Sequence, residues 1–224
     1  MSNASSIVTF EKISAASRRP VPWKNRGGVT REIAVQNSAL GDFDWRISVA
    51  DIDQPGPFSS FEGVDRVLVM TRGDVMVLKG ADDTHRLACW EPFAFGGEAS
   101  ITAHLPSGPT RDFNLMVRRA YGVGTAAVYR EGTQLAIDTG IAFFHCAAGR
   151  YAINATGDDA PPVLLDEGDT LRIDLDAHMV FDVRPLALDS ALIDARIEPH
   201  IEPQNEPQVD PRNEPPAAES DIRL

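Results

Sequence analysis

The stretch Pro22-Trp23-Lys24-Asn25-Arg26-Gly27-Gly28 sets a flat indole, two cations and an amide beside two glycines. That inventory suits a small planar anion, with a carboxylate on a cation and a ring or chain packed on Trp23. Gly27 and Gly28 let backbone N–H groups approach such a guest closely. Strand alternation extends the set. If Thr30 to Val35 is a strand, Arg31, Ile33 and Val35 share one face and Thr30, Glu32 and Ala34 the other. Trp45, Ile47 and Val49 leave Arg46 and Ser48 on the opposite side, and Arg66 shares a face with Leu68 and Met70. Asp112, Asn114 and Met116 oppose Phe113, Leu115 and Val117. Several strands thus put a hydrogen-bonding residue where a barrel wall turns it inward. A desolvated charge must be paired or neutralised. For any single arginine, an internal carboxylate such as Glu32, Asp44 or Asp112 is therefore the better partner; for the group together, a bound anion gains ground.

Other chemistries are poorly supported. The histidines are His85, His104, His145, His178 and His200, with no H-x-H pair to point two rings into a barrel. His200-Ile201-Glu202 has a facial-triad spacing but lies in a proline-rich segment that offers no rigid frame. No metal and no cofactor are expected. There is no G-x-S-x-G elbow. Cys146 adjoins His145, yet neighbours along a strand face opposite sides. Cys89 and Cys146 each sit in an apolar run and read as buried free thiols. Gly122-Val123-Gly124 marks a turn, not a phosphate loop. The net charge of −12 argues against nucleic acid and anionic membranes as partners. No apolar segment approaches the ~18 residues of a membrane span, and Met1 to Phe10 lacks a signal-peptide pattern. The cytoplasm is the expected location.

The elements that must position these residues are strands. Runs such as TREIAV, WRISVADI, RVLVMT, FNLMVRR, AFFHCAA and LRIDL have strand length, and none of the first 183 residues sustains a helical stripe. A chain of 224 residues, 43% hydrophobic, buries a sizeable core. A faint repeat places an apolar strand, a turn glycine (Gly73 or Gly149) and a returning strand in each half. The expected fold is all-β, two jelly-roll barrels in one chain. The folded part is placed at residues 1–188, with an N-terminal barrel at about 7–120 and a C-terminal barrel at about 121–188. Residues 189–224 are assigned to a disordered tail, with the composition turning abruptly acidic and proline-rich at about Ile197.

In order along the chain, Pro22-Trp23-Lys24-Asn25-x-Gly27-Gly28-x-Thr30-Arg31-Glu32, Phe43–Ile52, the Gly-Pro-Phe-Ser-x-Phe stretch ending at Phe61, Asp65–Asp74, Glu91–Gly97 and Arg111–Arg119 resemble the HutD/Ves family of cupin-like proteins. The likeness covers about Ile7 to Pro185. It implies a metal-free bicupin associated with bacterial histidine utilisation. The implied ligand is a small anionic intermediate, of urocanate or formylated-glutamate type, bound to moderate the pathway rather than to turn it over. Matching motif positions put the ligand-binding residues at Trp23, Lys24, Asn25, Arg31, Arg46, Arg66 and Asn114. Arg26 departs from the family pattern, where a small residue is expected, and the acidic tail lies outside it.

The leading expectation is a cytoplasmic, metal-independent binder of a small carboxylate metabolite. The first rival is a metal-independent isomerase or hydrolase of the cupin type, whose candidate bases are Glu32, Asp112 and His104. A second rival binds a protein partner through the Glu-Pro tail. A homodimer through a sheet edge suits the architecture.

Overall fold

Alternating apolar residues and β-branched runs, cut at short intervals by Gly, Pro, Asp and Asn, leave little room for helix. The computed structural model describes residues 8–39, 42–158 and 160–200. The assumed start at residue 7 and the segment 201–224 lie outside the described residues. Among the described residues one 3-10 turn, Ala15–Ser17, interrupts an otherwise all-β arrangement. The first half carries β1 (Val8–Ile13), β2 (Pro20–Pro22), β3 (Gly28–Asn37), β4 (Phe43–Ile52), β5 (Gly56–Pro57), β6 (Val64–Arg72), β7 (Val75–Lys79), β8 (Thr84–Ala88), β9 (Pro92–Gly96), β10 (Thr102–His104) and β11 (Thr110–Arg118). The second carries β12 (Gly122–Tyr129), β13 (Thr133–Ile137), β14 (Gly140–Ala148), β15 (Arg150–Ala155), β16 (Val163–Asp166), β17 (Thr170–Leu175), β18 (Met179–Pro185) and β19 (Ala191–Pro199).

These strands form four antiparallel sheets, ordered β2-β3-β4-β11-β6-β9, β5-β10-β7-β8, β1-β17-β14-β19-β12 and β13-β18-β15-β16. Ile52, Leu68, Met70, Met76, Leu78, Leu87 and Ala103 fill the space between the first two. Phe144, Cys146, Tyr151, Leu165, Ile173, Phe181 and Leu192 fill the space between the last two. A third core joins the two large sheets face to face, where Trp45, Ile47, Phe113 and Leu115 meet Phe143, Ile193 and Ala195. Trp45 and Phe143 make an edge contact there at 5.4 Å between ring centroids.

The internal repeat is topological. Strand order β4-β11-β6-β9 recurs as β12-β19-β14-β17, and β5-β10-β7-β8 recurs as β13-β18-β15-β16. The register agrees as well. Arg66↔Met116, Leu68↔Asn114 and Met70↔Asp112 correspond to Ala142↔Arg196, Phe144↔Asp194 and Cys146↔Leu192. The expected glycine hairpins are instead corners. β6 and β7 belong to different, facing sheets, as do β14 and β15. Gly73 and Gly149 turn these corners at φ of 107° and 71°, in the region that L-residues avoid. A side chain at either would also run into the start of the last strand of its half, at Thr110 or Ser190.

Two boundaries differ from the sequence expectation. β1 does not join the N-terminal half: it pairs along its whole length with β17, from Val8↔Leu175 to Ile13↔Thr170. The presumed tail from residue 189 contains β19, which lies between β14 and β12. Its Ala191, Leu192, Ile193, Ala195 and Ile197 are all buried. Proline and glutamate follow so closely that composition alone masked the strand. No helix among the described residues is long and apolar enough to cross a membrane.

Burying one Leu or Ile side chain contributes roughly 1.5–3 kcal/mol, and a whole domain is stable by only about 5–15 kcal/mol. Truncation after residue 188 should therefore abolish cooperative thermal unfolding followed by circular dichroism. Truncation after residue 200 should leave the transition within a few degrees of full length. Equal melts for the two truncations would contradict the placement of β19.

Candidate functional site

The N-terminal sandwich is not filled throughout. A cavity of about 650 Å³ opens between its sheets, floored by the inward positions of four adjacent strands. Thr30 comes from β3, Arg46, Ser48 and Ala50 from β4, Asp112, Asn114 and Met116 from β11, and Arg66 from β6. Trp23, Lys24 and Asn25 from the β2–β3 turn and Phe58, Ser59 and Phe61 from the segment after β5 complete its lining.

The opening motif builds the β2–β3 turn. Trp23 N–H donates to Gly28 O at 2.9 Å, and Arg26 N–H donates to Trp23 O at 3.0 Å. The indole Nε1–H donates to Thr30 Oγ1 at 2.8 Å, which fixes the ring over the sheet. Gly28 lies beneath that ring: a Cβ there would come within 3.2 Å of Trp23 and into the carbonyl of Asp51. The Asn25 side chain accepts from Gly27 N–H at 2.9 Å, so its oxygen shapes the turn. Lys24 lines the cavity and is exposed. Arg26 holds φ of 59°, a left-handed conformation that glycine adopts without strain.

Six of the seven sequence candidates, Trp23, Lys24, Asn25, Arg46, Arg66 and Asn114, line this one cavity. Arg31 does not. It is held by Asp51, which also accepts from Arg111 Nε at 2.6 Å. Burial pushes the Asp51 carboxyl up, but the hydrogen bonds from Arg111 and Arg31 outweigh that and hold it below the usual range. The simple alternation also fails along β3. A register shift between Glu32 and Ala34 returns Val35 to the pocket side with Phe43, Phe61 and Met116, while Ile33 joins the core between the large sheets.

The arginines differ in how they are satisfied. Arg46 Nε donates to Glu32 Oε2 at 2.8 Å, so the protein answers that charge itself. Arg66 is only 5% exposed and has no carboxylate in contact among the described residues. Its guanidinium lies 4.9 Å from the ring of Phe95, 5.1 Å from Phe58 and 5.8 Å from Phe61. Nη1 reaches Ser59 O at 3.4 Å, and the buried Nε has no partner. Desolvation pulls its pKa down to about 10, only partly opposed by the charge of Asp112, so the group is cationic at neutral pH.

Asp112, weighed from sequence only as an arginine partner or a base, is the residue whose importance the sequence understated. It is 2% exposed, lines the cavity, and its buried Oδ1 has no hydrogen-bond partner. Burial raises its pKa from 3.8 to about 7, with Arg66 pulling the other way. Asn114 Oδ1 is likewise buried and unpartnered. Of the other candidate bases, Glu32 is committed to Arg46, and His104 is exposed and absent from the lining. No group of three or more His, Cys, Asp or Glu side chains suited to a metal ion occurs among the described residues.

The fold is cupin-like: a cupin-2 conserved barrel protein from Leptotrichia buccalis superposes with TM-score 0.51 at 10% identity, over 80% of this chain and 92% of its own. The chain belongs to the HutD family, whose pattern matches residues 15–187. HutD from Pseudomonas fluorescens SBW25, solved in a formate condition, aligns with TM-score 0.72 and 28% identity over 85% of this chain and all of that one. In sequence, the chain is 41% identical over 98 residues to a 21.2 kDa protein of the hutC 3' region of Pseudomonas putida, and 41% identical over 99 residues to protein Ves of Citrobacter koseri. Each match covers 43% of this chain and 52% of the relative, so the chain spans about half the length of these curated relatives.

Two predictions follow from the local geometry. Between about pH 4 and 7 the folded chain keeps a proton on Asp112 that the unfolded chain has released, so this group lowers stability as pH rises through that window. His145 acts oppositely. Desolvation, with Arg18 nearby, holds it neutral down to about pH 3, so it adds stability as pH rises from about 3 to 6.5. Asp112→Asn removes only the first slope. Its stability relative to wild type should grow between about pH 4.5 and 7.5, by about 4 kcal/mol at most, in urea titrations at the two pH values; a constant difference would refute the buried acid. Arg26→Gly should stabilise by about 0.5–1 kcal/mol in the same assay, by relieving the left-handed residue.

Proposed function

We propose that this protein is a metal-independent, cytoplasmic bicupin of two jelly-roll barrels whose N-terminal barrel binds a small carboxylate-bearing metabolite. The single observation that carries this reading is Arg66: a buried cation that lines an open cavity, with an unpartnered Nε and no carboxylate in contact among the described residues. A carboxylate supplies the missing negative acceptor, in surroundings dry enough to strengthen the pair. Arg46 and Lys24 add positive charge along the lining, and Trp23 with Phe58 and Phe61 gives the apolar walls. Family membership and the hut-region relative support an accessory or regulatory part in histidine utilisation, with a ligand of urocanate or formylated-glutamate type.

Thermal-shift titration with urocanate, formylglutamate, formiminoglutamate and formate tests the assignment. A true ligand at a hundredfold excess over Kd stabilises by about 2.7 kcal/mol. Arg66→Met should weaken it by roughly 10- to 150-fold, the value of a charge-assisted hydrogen bond. Affinity unchanged in that variant, or no shift with any of the four compounds, would remove the proposal.

Asp112 favours a second reading, a cupin-type isomerase or hydrolase, because a carboxyl that titrates near neutrality inside a cavity suits a general base. Product formation that survives a chelator and disappears in Asp112→Asn would establish it over the binder.

A further inference from the structure

The cavity holds buried polar atoms of two opposite kinds. Arg66 Nε lacks an acceptor, whereas Asp112 Oδ1 and Asn114 Oδ1 lack donors. A simple carboxylate satisfies only the first. Seated near Arg66, it would leave the Asp112 oxygen as dry and unpaired as before.

The fold does not require polarity at these positions. The internal repeat supplies the comparison, because the registers of β6–β11 and β14–β19 correspond pair for pair. Arg66 corresponds to Ala142 and Asp112 to Leu192, both packed in the apolar core of the C-terminal sandwich. The position of Asn114 is taken there by Asp194, and that of Met116 by Arg196. Those two side chains satisfy each other at 2.7 Å within the half. One sandwich thus closes its interior with aliphatic groups and an internal ion pair. The other leaves Arg66 Nε, Asp112 Oδ1 and Asn114 Oδ1 without hydrogen-bond partners, on three residues that line the same hollow.

We propose that the pocket selects a bifunctional acid, whose carboxylate lies against Arg66 and whose N–H donor is taken by Asp112, with Asn114 beside it, so that Asp112 is the specificity-determining residue. The inference rests on the carboxylate reading above and narrows it to acids that also carry an imidazole, pyrrole, amide or amidine N–H. A site built to receive an N–H rejects an isostere lacking it, because the buried acceptor is then left unpaired. Plain aliphatic or furan acids of equal size are therefore poor ligands.

The test uses two planar acids of nearly identical shape and no titratable ring, 3-(pyrrol-2-yl)acrylate and 3-(furan-2-yl)acrylate, in calorimetric titrations of the full chain at about pH 8.5, where Asp112, with a pKa of about 7, is ionised and can only accept. Wild type should bind the pyrrole acid at least tenfold more tightly. In Asp112→Leu, which places at this site the residue its counterpart Leu192 provides in the other half, the two acids should bind within about threefold of each other. Arg66→Met should weaken both by a similar factor. If the leucine variant does not fold, Asp112→Asn keeps the volume and should still shrink the preference, since a neutral amide accepts more weakly than a carboxylate. Equal binding of the two acids to wild type overturns this inference while leaving the carboxylate pocket intact, and so does preference for the furan acid, which would make Asp112 a donor. A preference unaltered in the Asp112 variants overturns the role of Asp112. Binding of neither acid overturns the inference and counts against the carboxylate reading as well.

Discussion

The Arg66 guanidinium is stripped of water by three phenyl rings and, among the described residues, met by no carboxylate in contact. A desolvated cation without a clamp is unfavourable by several kcal/mol unless something else compensates. Here the compensation is partial and indirect: ring quadrupoles from Phe58, Phe61 and Phe95, a long contact to Ser59 O, and the charge of Asp112. Much of the local structure serves to hold this arrangement. Phe58 N–H donates to Ile101 O and Phe61 N–H to Gly97 O, each at 2.9 Å, fixing the aromatic segment that lines the pocket. Gly97 is bare because a Cβ would strike the carbonyls of Phe61 and Val64 at 2.7 and 2.8 Å.

The two halves show what one topology does with different interiors. Their sheets share strand order and register, yet the C-terminal sandwich is packed with Phe144, Tyr151, Ile173 and Phe181. The N-terminal one keeps a cavity where its Arg66 and Asp112 stand in place of Ala142 and Leu192. The packed half, joined to the other through Trp45 and Phe143, gives the six-stranded sheet a rigid backing. A sheet supported on its far side can keep polar, imperfectly satisfied residues on its near side without collapsing around them.

Positive charge near the site is less concentrated than a count of arginines implies. Arg31 faces the other way and shares Asp51 with Arg111, and Arg46 is answered by Glu32. Those ion pairs are half-exposed and contribute modestly; their main effect is to orient side chains. Arg66 differs from Arg31 and Arg46 in having no carboxylate in contact among the described residues.

The sequence by itself determined the all-β class, the family, the two-fold repeat and most of the pocket floor. Period-two alternation is a local property, and on β4, β6 and β11 it correctly put Arg46, Ser48, Arg66, Asp112 and Asn114 on the inward faces. Only the tertiary structure decided the rest. The shift after Glu32, which no local pattern announces, ends the alternation on β3. The glycine turns lead to the facing sheet and not back to the same one, since a corner and a hairpin both call for positive φ. β1 crosses to the far half and β19 hides in a proline-rich context, because strand pairing is a long-range choice. Which charges are answered is also a matter of distance in space. Asp51 is twenty residues from Arg31 and sixty from Arg111, and neither separation marks it as their shared partner until the sheets are assembled.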